Sequence, residues 1–284
     1  MAITGNTELS AVKADIISAL VQKELGAAAK LLPTISDWSA LAIKGAKTVK
    51  VPKFTTFTAS SRASGVAGVP QAPTGSVDTI DLDHNLYVSW LVDSFDEYQA
   101  VPDIQLLFAQ KAAQAHARKV DELIIAAMES AFFNTTGAAA AITYDKIVDG
   151  YQALIEKNSD LNEVFLAVSP NLYGDILKLT EFKDASVFGA PNIPNVRPVG
   201  QIFGIPVIVS NLISGAVGYM YERNGVGFAL QKGAKLGMQD AIEYGTDAKL
   251  MALDQVIGID PLQIAVNGAA AGKSALIYKF LGVV

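Results

Sequence analysis

Cysteine is missing from the 284 residues, and histidine occurs only twice, as His84 and His116. The first absence excludes disulfides, thiolate nucleophiles and cysteine-based zinc sites. The second leaves no histidine pair at ligand spacing. Charge is also scarce: 18% of residues are Asp, Glu, Lys or Arg, where about a quarter is usual. What charge there is leans acidic, net −6, which argues against a basic surface built for nucleic acid. No apolar run approaches the roughly 18 residues of a membrane span. The opening MAITGNTELSAVKADI lacks a basic region followed by an apolar block, so no signal peptide is expected. These absences fit a soluble protein made in the cytoplasm. With 51% hydrophobic residues, the chain is either a plainly apolar globular protein or a subunit that buries its outer surface against copies of itself.

The clearest feature present is residues 103–133, DIQLLFAQKAAQAHARKVDELIIAAMESAFF, which has neither Gly nor Pro and is rich in strong helix formers. Val120, Ile124, Ala127, Met128 and Ala131 recur at helical spacing. Asp103 after Pro102 is a fair N-cap, and Asn134 with Gly137 supplies a stop. Such a helix would run roughly 45 Å, a spine across which other elements lie.

Before it, residues 8–32 place Val12, Ile16, Ala19, Leu20 and Lys23 on one helix face, with Gly26 and Pro33 as punctuation. This reads as an arm, continuing through Ile35–Ile43. Residues 47–58 form a strand interrupted by Pro52. Residues 59–76 are small, Gly- and Pro-rich and nearly uncharged, and residues 77–92 turn Ile80, Leu82, Leu86, Val88, Trp90 and Val92 to one face at period two. Strand, long tip, strand is an extended hairpin whose tip has no core of its own. Asp81, Asp83, Asp93, Asp96 and Glu97 cluster near His84. A metal or acid/base site is one reading; the charged outer face of a strand is the commoner one.

After the spine, residues 144–157 form a second amphipathic helix, 163–169 a buried strand, and Pro170 opens a helix over 171–179. A proline-bearing loop covers 181–199, followed by strand, Gly-Ile-Pro turn and strand over 200–213 and another strand at 217–222, a mixed α/β pattern. Residues 246–266 and 274–284 read as strands. Three chemical motifs are incomplete. Ser10–Lys13 has S-x-x-K spacing without its partner motifs, no G-x-G-x-x-G follows a strand, and NGAAAGKS (267–274) lacks the first glycine of a phosphate loop and the helix after it.

The ordered series resembles the major capsid proteins of tailed bacteriophages, with their HK97-type fold. LL-P-T-I-S-D-W (31–38) followed by GAKTVKVPKF (45–54) looks like that family's arm leading into its hairpin. Residues 77–100 and the helix from 103 resemble the strand and spine of its peripheral domain. VSPNLYGDILK (168–178) and GQIFGIPVIVSNLI (200–213) look like parts of its axial domain, and residues 244–266 are similar to the segment returning to the peripheral domain.

The resemblance implies an α+β fold with an N-terminal arm (1–46), an extended hairpin or E-loop (47–84), a peripheral domain with its spine (85–137), an axial domain (138–240) and return strands (241–284). It implies a coat protein, not an enzyme, that needs no cofactor or metal. Copies would assemble into pentamers and hexamers of an icosahedral shell around double-stranded DNA, without sequence-specific binding and without a membrane. Portal and possible separate scaffolding or decoration proteins are the other implied partners. The virion capsid, assembled in the host cytoplasm, is the implied location. No fused charged coiled-coil scaffold is visible, and no Lys, Asn and Glu trio can be assigned to a crosslink. Expected assembly contacts are Arg62, Val66 and Val69 at the hairpin tip, Trp38 in the arm, and Phe188 and Arg197 in the proline loop. An encapsulin-like nanocompartment shares the implied fold, and a metabolic α/β enzyme is the reading from another class.

Overall fold

The computed structural model describes residues 29–54, 59–72, 75–92, 104–136, 141–157, 159–179, 200–244, 248–262 and 276–282. In chain order the strands and helices are β1 (Ser36–Asp37), β2 (Thr48–Phe54), β3 (Gly75–Asp81), β4 (His84–Val92), α1 (Ile104–Ala131), β5 (Asn134–Thr135), α2 (Tyr144–Glu156), β6 (Val164–Val168), α3 (Pro170–Lys178), β7 (Gln201–Ile202), β8 (Ile205–Val209), β9 (Val217–Glu222), β10 (Val226–Asp240), β11 (Lys249–Pro261) and β12 (Ile277–Leu281). They form a four-stranded sheet in the order β1-β10-β11-β4, a six-stranded sheet β5-β12-β9-β6-β8-β7, and the isolated ribbon β2-β3.

α1 touches both large sheets, because its apolar stripe changes character along its length. Ala109, Ala112, Ala113 and Ala117 let the four-stranded sheet approach closely, against Val92, Ala234, Leu236, Met251 and Leu253. From Val120 onward the stripe is bulkier. Val120, Ile124 and Met128 pack with Val226, Phe228, Ile257 and Ile259 of the four-stranded sheet and with Tyr219, Tyr221 and Ile277 of the six-stranded one. All five stripe residues read from the sequence are buried. Helices α2 and α3 begin where their caps place them: the Thr143 hydroxyl accepts from the Lys146 amide and the Ser169 hydroxyl from the Leu172 amide.

Five expectations need correction. Residues 77–92 are two strands, parted at Leu82–Asp83: β3 pairs with β2 alone, whereas β4 pairs with β11 from His84↔Ile257 to Val92↔Lys249. The inward alternation nevertheless continues through both. Residues 226–240, expected at the end of the axial domain, are β10 and belong to the sheet that contains β4. Glycines 227, 233 and 237 hide its period in the sequence. Conversely, β12 does not return to that sheet but lies between β5 and β9, where Ile277, Tyr278 and Phe280 are all buried. Finally, the arm is part of the body from Ala29 onward, since Leu31 and Ile35 enter the same cluster as Ile124. The turn between β7 and β8 is also one step early: Phe203 (φ 53°) and Gly204 (φ 80°) form it. The Phe203 ring, 5.5 Å from Tyr144 and 5.6 Å from Tyr151, offsets the left-handed backbone a phenylalanine normally avoids. The arm helix and the near-matches at 10–13 and 267–274 lie outside the described residues.

The ribbon β2-β3 is seated on the four-stranded sheet at two glycines. A Cβ at Gly258 would lie 2.5 Å from the Asp81 carbonyl oxygen, and one at Gly227 would lie 2.7 Å from the Ile80 side chain. Around them Val49, Val51 and Ile80 pack with Ala229 and Leu262. Gly258→Ala is expected to cost about 1–3 kcal/mol by forcing the ribbon off the sheet. Gly174→Ala, in α3 with open space around it, is expected to stabilise by about 0.5–1 kcal/mol through helix propensity. Urea unfolding of the two variants checks both signs.

Candidate functional site

The described residues bring together no catalytic constellation, and no group of three or more His, Asp or Glu among them is placed to hold a metal ion. His84, at the start of β4, has Nε2 3.6 Å from an Asp83 oxygen; His116 is buried within α1. Asp81 and Asp83 face solvent, and the Asp81 amide donates to the Asp260 carboxylate. Burial pushes the Asp260 pKa up, and the neighbouring Asp81 and Asp83 charges push the same way. Asp81, Asp83 and Asp260 therefore meet at the root of the hairpin, whereas Asp93, Asp96 and Glu97 of the sequence cluster lie outside the described residues.

What the structure does present is a set of surfaces attached to a firm body. Every described tip residue from 59 to 72 is exposed. The chain turns at Gly65 (φ 83°), where the Val66 amide donates to the Ala63 carbonyl and the Arg62 guanidinium to the Val66 carbonyl at 3.1 Å. Arg62, Val66 and Val69 thus share one small projecting turn, with Val69 89% exposed. Trp38 lies at the other end of the ribbon, half-buried against the cluster of Val49 and Ile80, and its indole N–H donates to the Ser36 hydroxyl. Its ring already has partners in its own chain, so only its open edge faces outward. Phe188 and Arg197 fall outside the described residues.

Two polar anchors, neither read from the sequence, fix what these surfaces hang from. Asp121 is buried on α1 and accepts the backbone amides of Lys30 (3.0 Å) and Leu31 (3.1 Å). Burial pushes its pKa up, and those two amides with the Lys30 charge oppose the shift. Beside it the Thr34 and Tyr221 hydroxyls meet at 2.6 Å, the Ser36 hydroxyl donates to the Val226 carbonyl, and Arg223 donates to the Pro33 carbonyl. The chain preceding residue 29 therefore starts from a fixed point. The second anchor is Glu129, which accepts from the Tyr219 hydroxyl and from the Lys279 ammonium, tying the end of α1 to β9 and β12. Burial, then Glu129, raises the Tyr219 pKa. The only sequence signal for either anchor is an acid beside the apolar stripe, which a solvated helix flank produces equally well.

An apolar groove of about 310 Å³ opens between β4 and α1, lined by Val88, Trp90, Leu91, Phe108, Lys111 and Ala115 among others. β4 is an edge strand of its sheet, so a strand edge and an apolar groove lie side by side.

With this geometry in view, the family model described as phage capsid protein matches residues 86–267. No curated protein matches the sequence. Among solved structures, the chain is similar to one from Microbacterium phage Oxtober96 at 14% identity and TM-score 0.68, covering 89% of this chain and 91% of that one. It is similar to the capsid of an empty GTA particle, computed with C5 symmetry, at 16% identity and TM-score 0.64, covering 90% of each. It also resembles the virus-like particle from Pyrococcus furiosus at 14% identity and TM-score 0.61, over 94% of this chain and 99% of that one. At such identities the likeness speaks for the fold, and it agrees with the HK97-type architecture expected from the ordered motifs.

Asp121→Ala is expected to leave the Lys30 and Leu31 amides without their acceptor and to cost about 1–3 kcal/mol. Limited proteolysis checks the local consequence: cleavage close to residue 30 should speed up severalfold while the body stays intact.

Proposed function

The chain belongs to the phage capsid protein family and builds a phage shell, and on that premise we propose that its copies form the pentamers and hexamers of an icosahedral container for packaged double-stranded DNA. The observation that carries this reading is the hairpin: a ribbon rooted on the four-stranded sheet that ends in a tip exposed at every described residue. An isolated two-stranded ribbon is marginal in water, and an apolar tip gains its burial when it lies against another copy. The contact surfaces are the turn of Arg62, Val66 and Val69, the stretch read as an arm before Ala29, and the proline-bearing stretch 181–199 with Phe188 and Arg197, the last two stretches lying outside the described residues. The acidic subunit encloses DNA without gripping it, because tight binding would require phosphate neutralisation by a basic face. Portal and separate scaffolding or decoration proteins are the further partners in this reading, with assembly in the host cytoplasm. A shell with a different cargo, of the encapsulin-like kind, is the second reading; the likeness to a virus-like particle along almost the whole of that chain is compatible with it.

Replacing residues 60–72 by a short Gly-Ser turn tests the contact. The expected product is a soluble, folded subunit that no longer closes into particles in negative-stain micrographs; ordinary shells from this variant would remove the tip from the assembly contacts. Nuclease-resistant DNA inside particles purified from infected cells separates the first reading from the second.

A further inference from the structure

The seam between α1 and the four-stranded sheet contains a histidine that neither sheet pairing nor shell contacts require. His116 is 2% exposed, and its ring nitrogens lie beside the Gln255 side chain and the Leu253 backbone without a hydrogen bond of full geometry to either. Gln255 of β11, also buried, has an unpartnered side-chain oxygen. Around His116 on the helix, Ala112, Ala113 and Ala117 pack closely against Val92, Leu236, Met251 and Leu253. A neutral imidazole fits such a seam as a bulky, weakly polar plug. An imidazolium there would be a buried cation in a nearly apolar wall.

Charges able to soften that cost are few. Asp254 acts on the ring from β11, but it is ion-paired with Lys232 of β10. The other residues β10 brings to the seam, Ala234, Leu236 and Met238, are uncharged, as are Leu86, Val88, Trp90 and Val92 of β4; His84, on the same face at the start of that strand, lies beside Asp83. On α1 itself Lys119 pairs with Glu122, and Asp121 is held by the Lys30 and Leu31 amides.

We propose that His116 is an acid-sensitive joint: neutral, it lets the alanine face of α1 close on the sheet, and protonated, it drives that half of the helix off the sheet that carries the hairpin. Burial holds the His116 pKa below its ordinary value, with Gln255, Asp254 and Leu253 opposing in part. The unfolded chain therefore takes up this proton before the folded one does. Stability from this group is complete above the ordinary imidazole pKa of about 6.5 and is lost as pH falls from there toward the lower folded value. The carboxylates with displaced pKa values among the described residues, Asp121, Glu222 and Asp260, are all raised. Their contribution grows on acidification, so a loss of stability between pH 7 and 5 points away from them and toward His116.

Two measurements on the full chain decide the matter. Thermal midpoints of the wild type, His116→Leu and His84→Gln are compared from pH 7.5 to 5. The wild type and His84→Gln should lose midpoint together, while His116→Leu loses less than half as much; equal slopes for wild type and His116→Leu would overturn the proposal. Deuterium exchange at the imidazole C2 carbon, followed by mass spectrometry of peptides from the unsubstituted protein, reads each histidine separately and remains decisive if His116→Leu fails to fold. His116 should titrate below pH 6.5 with its exchange slowed several-fold, and titration at an ordinary value would equally overturn the proposal.

Discussion

One helix face has to satisfy two sheets at once, and most of the architecture follows from how α1 does it. Ile124 and Met128 lie in a cluster that includes Ile257 and Phe228 on one side and Tyr219, Tyr221 and Ile277 on the other. The two sheets are therefore not independent modules joined by linkers, since the side chains that stabilise one are packed against the other. Area-proportional burial alone would permit sliding, because apolar contacts have no direction. Direction comes from the flanking acids. Asp121 fixes the incoming chain at Lys30 and Leu31, and Glu129 fixes β9 and β12 through Tyr219 and Lys279. Both are set beside the stripe rather than within it, so the polar contacts add register to a seam whose free energy is mostly apolar.

How far this was legible in the sequence depends on the kind of interaction. Period was readable: the stripe from Val120 to Ala131, the alternation from Ile80 to Val92 and the helix starts at Tyr144 and Pro170 all appear where local pattern puts them. The order of motifs then supplied the HK97-type fold through resemblance. Partnership was not readable. Nothing local distinguishes β10 as a neighbour of β11 or sends β12 to the six-stranded sheet, because strand pairing is decided by residues far apart in the chain. The break at Leu82–Asp83 was invisible for a related reason: the alternation runs straight through it, and only a change of partner from β2 to β11 reveals two strands. Asp121 shows the limit most clearly, since its role depends on two backbone amides about ninety positions away.

The low charge of the chain takes on meaning beside these contacts. A small ionic fraction suits either a large private core or surfaces shared between copies. The core is substantial, yet large apolar side chains also remain open at Ile43, Val66, Val69, Val77, Tyr87 and Tyr244, several of them on the hairpin and the β4 edge. Scattered singly, such residues would need no explanation. Val66, Val69, Val77, Tyr87 and Leu91, which lie on the hairpin ribbon and the β4 edge, fall where a lone subunit gains least from them.

That distribution divides labour within the subunit. The ribbon is stiff at its root, where Gly227 and Gly258 let backbone and side chains approach without an intervening Cβ, and unsupported at its tip. A projecting element built this way transmits its position from the sheet, so the geometry of a contact made far from the body is set by packing close to it. In a closed assembly each copy makes the same contact many times over, and small errors in that angle would accumulate around the shell. In the assembly proposed above, the sheet fixes the direction in which the hairpin leaves, and the exposed residues from 59 to 72 are where it would meet a neighbour. The same logic explains why anchoring matters at residue 30. Because the Asp121 carboxylate holds the Lys30 and Leu31 amides, the point at which the preceding chain joins the body is fixed by a buried side chain of α1.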